Sequence, residues 1–313
     1  MRRLKMIWYF VFTCWLMPNL AIAQFTETKE MTKHFKVTPE TQIEISNKYG
    51  KVEINTWDKD SVVIEIKIRV EEKKLSKLEQ SIKNIDFNIT DSQHYLIVRT
   101  DVEKNKTGLG REITRFKESL LSSDGNIQVD YTVWMPDKNE LKVENKFGDI
   151  FIGDYLGEVE INLSNGNLKA HDFEGDLSLI LNFADATINS VAKGRLDCNF
   201  SELYVKKAES LRIKSKSTDF EFGELKDLNA ESRRDKFRIR IADLVDARSS
   251  FTNFRINELT DRLNIRSEYG DIEVEETAQD FSNINIESKS TDINLYFNES
   301  SNFNFEIIHT KSD

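Results

Sequence analysis

Cysteine is almost missing from this chain. Only Cys14 and Cys198 are present, beside four histidines, three prolines and twelve glycines. With Cys14 inside an N-terminal leader, the remaining chain has no internal disulfide. The histidines (His34, His94, His171 and His309) are scattered, which argues against a zinc site and leaves no base beside any serine. Positive charge is also short: the formal net charge is −10. A protein this acidic is a poor partner for nucleic acid. Beyond residue 23 no apolar run is long enough to span a membrane as a helix, so no transmembrane segment is expected after leader cleavage.

The first residues read as a secretory signal peptide, residues 1–23. Arg2, Arg3 and Lys5 precede a mostly apolar stretch from Met6 to Leu20, and Ala21-Ile22-Ala23 is a small-residue cleavage site before Gln24. A membrane anchor is the alternative, but the run is short for one and contains Pro18. Cys14 follows Phe12-Thr13, which is unlike a lipoprotein cleavage box. Losing Arg2, Arg3 and Lys5 takes the formal charge from −10 to −13. An exported chain without disulfides fits a bacterial envelope protein, located in the periplasm, at the outer-membrane surface or outside the cell.

What the chain has in abundance is a repeat. Taking the hydrophobic residue of an N-x-[YF]-G-x-hydrophobic phrase as an anchor gives Val52, then Ile150, Leu168, Ala186, Leu203, Phe220, Phe237, Phe254, Ile272 and Ile293. From Ile150 the steps are 18, 18, 17, 17, 17, 17, 18 and 21 residues. Each anchor has an apolar partner two residues on, such as Leu203/Val205. A second pair lies nine and seven residues before it, such as Leu211/Ile213 ahead of Phe220. Spacing of two places both side chains of a pair on one strand face. A further apolar residue often sits five after the anchor: Tyr155, Phe173, Val191, Leu225 and Leu259. The period leaves no room for a helix.

The expected fold is therefore all-β, a β-solenoid of 17–18-residue coils, each built from two or three very short strands. Nine coils at the parallel-strand spacing of about 4.8 Å make a rod on the order of 40 Å long. Two before each anchor stands a small or turn-forming residue, among them Gly50, Gly148, Gly166 and Gly270, where a sharp turn with positive φ is expected. A leucine-rich repeat is the alternative, since Phe173-x-x-x-Leu177-x-Leu179-x-x-Asn182 fits part of its consensus. Those repeats run 20 residues or more and need a helical side.

Residues 24–70 read as a first coil (Ile43/Ile45 with Val52/Ile54) and a long strand from Val62 to Val70. Residues 71–140 read as a small α+β insertion that caps the N-terminal end. It comprises a helix over 71–84 with Leu75, Leu78, Ile82 and Ile85 on one face, and strands at Ile85–Ile89, Tyr95–Val98 and Ile127–Met135. A polar segment lies between the last two, and its Ile113, Phe116 and Leu120 fit a short amphipathic helix. Residues 141–313 carry the repeats. At their end, Phe305 and Ile307 fit the first pair of another coil, with a corner at Ser312-Asp313. That unfinished coil suggests truncation or an end open to end-to-end self-association.

Two phrases carry a family resemblance. One is Ile45-Ser-Asn-Lys-Tyr-Gly-Lys-Val-Glu-Ile-Asn-Thr-Trp57 with Asp58 and the following strand. The other is Val129-Asp-Tyr-Thr-Val-Trp-Met-Pro136 followed by Asn145-Lys-Phe-Gly-Asp-Ile150. Together they resemble the bacterial putative-adhesin families, exported proteins of largely undefined function for which β-solenoids are expected. Later coils depart from the Tyr/Phe-Gly corner, with Ser217-Thr218, Arg234-Asp235 and Ser290-Thr291 in its place. The resemblance implies the fold and carries over no catalytic residue.

Three rows of polar residues invite chemistry. Five before the anchor, Ser215, Ser232, Ser249, Ser267 and Ser288 continue the positions of Asn47, Asn145 and Cys198; small polar residues bonding the backbone at an inner corner explain them without a nucleophile. Cys198 reads as a buried filler. One before the anchor, Asp149, Asp185, Glu202, Asp219, Asp271 and Asp292 form an acidic row. Calcium needs six to eight oxygens from a compact loop, so solvated turns are the better reading. Lastly, Lys214, Lys216, Arg233, Arg234, Arg238, Arg240 and Arg255 form a basic cluster, together with Lys206, Lys207, Lys236 and Arg248. Interleaved Glu221, Glu231, Asp235 and Asp246 offer ion pairs, and the functional reading is a site for an anionic glycan or lipid head group.

No cofactor or metal is expected, nor is the chain expected to be an enzyme. Polysaccharide-active β-helices build clefts from long loops, which these minimal corners lack. The expected role is adhesin-like binding or scaffolding at the envelope, with a surface glycan or an envelope protein as partner. An envelope sensor is the alternative, and a polysaccharide-active enzyme the third.

Overall fold

The computed structural model describes residues 24–102 and 126–308. The expected leader, the helix around Ile113, Phe116 and Leu120, and the corner at Ser312-Asp313 lie outside the described residues. In chain order the elements are β1 (Phe25–Lys36), β2 (Gln42–Lys48), β3 (Val52–Thr56), β4 (Ser61–Glu72), α1 (Leu75–Asn84), β5 (Asp86–Asp91), β6 (Tyr95–Asp101) and β7 (Asn126–Met135). Next come β8 (Leu141–Lys146), β9 (Ile150–Ile152), β10 (Val159–Ser164), β11 (Asn167–Asn182), β12 (Asp185–Asn199), β13 (Glu202–Lys216), β14 (Asp219–Arg233), β15 (Lys236–Thr277) and β16 (Asn283–Leu295).

The chain is a β-solenoid of about nine turns. Anchors pair in parallel register from coil to coil: Leu168 with Ala186, Ala186 with Leu203, Leu203 with Phe220, and Phe220 with Phe237. The pairs ahead of them do the same, as with Leu211 and Leu228. Every anchor but Ile293 is buried, and the rings of Phe220, Phe237 and Phe254 stack at 4.6 and 4.8 Å along the axis. That separation matches the strand spacing, so equivalent rings fall face to face inside the rod.

The strands are longer than expected. β12, β13 and β14 each run 15 residues without interruption. The chain bends near the residues five after the anchor while keeping its ladder. From β11 to β14 the strands end only at the corner before the anchor, and β15 passes even that corner twice as one 42-residue strand, whereas in the second coil β9 and β10 are separate. Pairing with identical coils on both sides satisfies the backbone through a bend that an isolated sheet would not tolerate.

At the corner, the residue three before each anchor has positive φ in all ten coils, from Tyr49 (66°) through Phe183 (53°) and Ser217 (54°) to Ser290 (50°). The turn thus sits one residue earlier than the sequence suggested. Of the glycines two before an anchor, only Gly270 has positive φ. Close stacking explains the others: a Cβ on Gly148 would lie 1.9 Å from the Gly50 carbonyl oxygen.

Coil 1 (β2, β3) stacks directly on coil 2 (β8, β9) although 84 residues lie between Thr56, the end of β3, and Leu141, the start of β8. The intervening chain adds a rung outside coil 1. There β6 pairs in parallel with β2, and β7 with β3. Antiparallel strands β5, β4 and β1 follow, ending the parallel run. β1 has too weak an apolar alternation to be seen in sequence; most of its residues are exposed. The helix begins at Leu75 rather than 71, because Glu71 and Glu72 extend β4, and Ser81 Oγ donates to Glu72 Oε1 at 3.0 Å. Leu78 is its buried contact, while Leu75 is exposed.

Phe305 and Ile307 form no strand. β16 ends at Leu295, and both side chains are exposed. Phe303 packs instead against Phe297 (4.3 Å) and Phe281 (5.7 Å), which draws this segment away from the ladder.

Candidate functional site

Each coil presents two flat outward faces separated by the left-handed corner. On the first face the outward positions lie eight, six and four residues before the anchor. On the second they lie one and three after it. Alternation fixes this parity, since the residues between are the buried pairs.

The corner divides the basic cluster. Lys214, Lys216 and Arg233 stand on the first face, Arg238, Arg240 and Arg255 on the second, and Arg234 on the corner itself. The second-face group is ion-paired across coils. Arg240 Nη2 lies 2.8 Å from Glu224 Oε1, Arg255 Nη2 lies 2.7 Å from Glu273 Oε2, and Arg238 Nη1 lies 3.9 Å from Asp219 Oδ2. The first-face group makes no ion pair within 4.0 Å among the described residues. It is joined there by Arg195, Arg212 and Arg248, the first two of which the sequence reading left out. Parity relative to the corner was the signal that would have found them.

Asp235 does not serve this cluster. It points inward and is 1% exposed. Its carboxylate accepts from Ser215 Oγ (2.7 Å) and from the amides of Thr218 (2.8 Å) and Arg233 (3.0 Å). Burial raises its pKa above the usual aspartate value, and these hydrogen bonds act in the opposite sense. The serine ladder ties into the same inner column. Ser232 Oγ bonds Thr252 Oγ1 at 2.8 Å, and Ser249 Oγ donates to Ser267 Oγ at 3.1 Å. Serines therefore bond other side chains more than backbone; the backbone carbonyls are met by Asn47, Asn145 and Thr218. Cys198 is fully buried, and burial pushes its thiol pKa up, away from the reactive thiolate.

The acidic row lies just past the corner, with Asp185, Glu202 and Asp219 as the first residues of their strands and Asp271 and Asp292 within theirs. Asp149 Oδ1 accepts the Asn167 amide and its side chain at 2.9 Å, and Asp219 meets Lys236 at 3.3 Å. Among the described residues no three His, Cys, Asp or Glu side chains are placed to hold a metal.

The corner also carries rings that the sequence reading used only as fold markers. Phe183 and Phe200 stack at 5.0 Å and 3°, Phe251 and Tyr269 at 4.9 Å, and Tyr49 and Phe147 at 5.5 Å. Phe183 is 61% exposed. Stacked along the axis, these rings offer mostly edges to solvent. Lys216 Nζ sits 5.5 Å from the Phe200 ring centroid and Arg234 5.9 Å from that of Phe251.

On the second face, coils 1 to 5 enclose a shallow open trough of about 460 Å³. Phe151, Lys169 and Tyr204 line it from the row after the anchor, and His171, Asn189 and Lys206 from the row beyond. Lys169 and Lys206 make no ion pair among the described residues, unlike the arginines farther along this face. Rings, amides and free ammonium groups on a rigid floor suit reversible binding of a polar ligand with apolar patches.

No protein-family model matches the chain, and no curated protein does. Among solved structures it is similar to a "putative lipid binding protein" from Parabacteroides distasonis, at 13% identity and a TM-score of 0.40, covering 85% of this chain and 96% of that one. It is also similar to a "putative adhesin" from Parabacteroides merdae, at 14% identity and a TM-score of 0.37, covering 86% and 96%. A third is a "putative cell adhesion protein" from Clostridium sporogenes, at 12% identity and a TM-score of 0.25, covering 87% and 100%.

Proposed function

We propose that the chain is an exported, adhesin-like binding protein of the cell envelope that holds its ligand on flat solenoid faces and does no chemistry on it. The trough on the second face supports this reading. It is open along its length, whereas catalysis gains most from a closed, water-excluding site. A ligand there meets Tyr204 and Phe151 through its apolar surface and Lys169, Asn189 and Lys206 through its polar groups.

The test is a glycan array with residues 24–313 and the Tyr204→Ala/Phe151→Ala variant. Retention of a glycan by the first and its loss by the second is the expected result. Release of new reducing ends from a polysaccharide panel would overturn the non-catalytic part. A second reading, an envelope sensor that binds a partner protein, draws on the exposed ring pairs along the corner, since such apolar edges commonly mark protein contacts. Pull-down of one envelope partner, lost on Phe183→Ser/Phe200→Ser, would favour it. Sedimentation of the same samples tests end-to-end self-association.

A further inference from the structure

Arg212, Lys214 and Lys216 are the three outward residues of one strand segment, and all are exposed. Arg195 stands directly opposite Arg212 on β12, and Arg233 directly opposite Lys216 on β14. Arg248 follows on β15, opposite Glu231. None of the six makes an ion pair within 4.0 Å among the described residues. Like charges facing each other across neighbouring strands cost stability, and this strip holds two such pairs. Elsewhere the first face pairs opposite charges: Lys142 with Glu160 at 2.7 Å on one side of the strip, Arg266 with Glu287 at 2.5 Å on the other. Over these four adjacent coils the face carries six cations against three carboxylates (Asp197, Glu231 and Asp246), and the excess is centred on the Arg212–Lys214–Lys216 segment of a chain whose net charge is −10.

We propose that this strip binds an extended acidic polysaccharide, a chain carrying carboxylate or sulfate groups. Four coils at about 4.8 Å spread the cations over roughly 14 Å along the axis, with no hollow between them. A single small anion reaches two or three of these groups and stays hydrated. A chain with an acidic group on successive sugars reaches most of the six at once, and guanidinium forks suit carboxylate and sulfate oxygens. Asp197 and Glu231 on either side of Lys214 leave the charge in two tracks, Arg195–Arg212 and Lys216–Arg233, as befits a narrow ligand.

A broad anionic surface fits less well. Around the corner Asp185, Glu202 and Asp219 stand in one column and would face the flank of a bilayer. Single-stranded nucleic acid favours open ring faces, whereas the nearest rings, Phe183 and Phe200, each give one face to the other, and Lys216 lies 5.5 Å from the Phe200 ring. The proposal shares with the reading above only the premise that the chain binds. It lies on the other face from the trough, so either can fail alone.

The experiment titrates residues 24–313 with polygalacturonate, dextran sulfate, neutral dextran, oligodeoxythymidine and phosphatidylglycerol vesicles at low and at physiological salt. Two variants of equal charge change are compared. One is Arg212→Ser/Lys214→Ser/Lys216→Ser; the other is Arg238→Ser/Arg240→Ser/Arg255→Ser on the second face. Thermal melting confirms that each is folded, and Arg195→Ser/Arg233→Ser repeats the test if the first triple is not. The expected result is salt-sensitive binding of one or both acidic polysaccharides, weakened at least tenfold by the strip variant and little by the other. Equal loss in both variants would reduce the effect to net charge and overturn the site. Binding only to vesicles or only to the oligonucleotide would overturn the ligand class, as would equal binding of neutral dextran. Absence of binding to either acidic polymer at low salt would overturn the proposal outright.

Discussion

The Ser215 hydroxyl donates to Asp235 Oδ2 at 2.7 Å inside the solenoid, one coil away along the axis. Thr252 holds the equivalent place in the next coil. Its hydroxyl bonds Ser232 Oγ at 2.8 Å and accepts the Asp235 amide at 3.3 Å, as Asp235 accepts that of Thr218. A threonine at 235 can therefore meet Ser215 and the Thr218 amide without a buried charge, giving up the bond from the Arg233 amide. The raised pKa of Asp235 gives the pH dependence its sign. Folding favours the protonated acid, so the group's contribution is present below the ordinary aspartate value and is lost as pH rises through the raised one. Asp235→Thr is expected to stabilise the protein at pH 7 by about 0.5–2 kcal/mol. The gain should shrink as pH falls below that window. Urea melts of both proteins at pH 7 and pH 4 check this, and a larger gain at pH 4 would count against it.

Ser217 adopts φ 54° with no ring to stack on. Left-handed backbone costs an ordinary residue about 1 kcal/mol, less for asparagine, which already occupies this position as Asn165. Ser217→Asn is expected to raise the melting temperature slightly, and Ser217→Val to lower it by more. A calorimetric scan in which valine is tolerated as well as asparagine would mean that neighbouring coils, not the residue, set this φ.

The solenoid was legible because a fixed register repeats one local pattern nine or ten times, and burial of the pairs at the anchor and ahead of it follows from alternation alone. The corner was misplaced by one residue. Glycines at Gly50, Gly148 and Gly166 suggested conformational freedom, when their role is close approach between coils, a property of two chain segments that one segment does not display. The basic cluster failed for a related reason. Nearness in sequence gathered Lys216 with Arg238, yet the corner between them turns their faces apart, and Arg195 joins the strip from a coil earlier. Strand length was underestimated because a bend in sequence looks like a break, while neighbouring coils carry the ladder through it.

Gly148 shows the close approach most clearly. A Cβ there would sit 1.9 Å from the Gly50 carbonyl oxygen, which belongs to backbone and has little room to yield. Gly148→Ala is expected to destabilise by more than the about 1 kcal/mol typical of point substitutions. Ala184 stands at the equivalent place two coils on, where a Cβ is accommodated and buried. Ala184→Gly, by contrast, should cost no more than the added chain entropy and a small lost contact. Chemical denaturation of the two variants separates a requirement of this coil from one of the whole repeat; equal effects would refute the steric account.

Phe237 lies between Phe220 and Phe254, with ring centroids at 4.6 and 4.8 Å and its side chain 1% exposed. Phe183 stacks as closely on Phe200 but is 61% exposed. The two rings make similar pair geometry and differ in how much water they exclude. If burial dominates, Phe237→Ala should cost about 3–5 kcal/mol through lost transfer energy and the cavity left behind. Phe183→Ala should cost roughly 1 kcal/mol, the scale of one aromatic pair. Repeat proteins couple each coil to its neighbours, so the Phe237 gap is expected to lower the cooperativity of unfolding as well as its midpoint. Equal losses for the two variants would mean that ring stacking, and not exclusion of water from the axis, holds adjacent coils together.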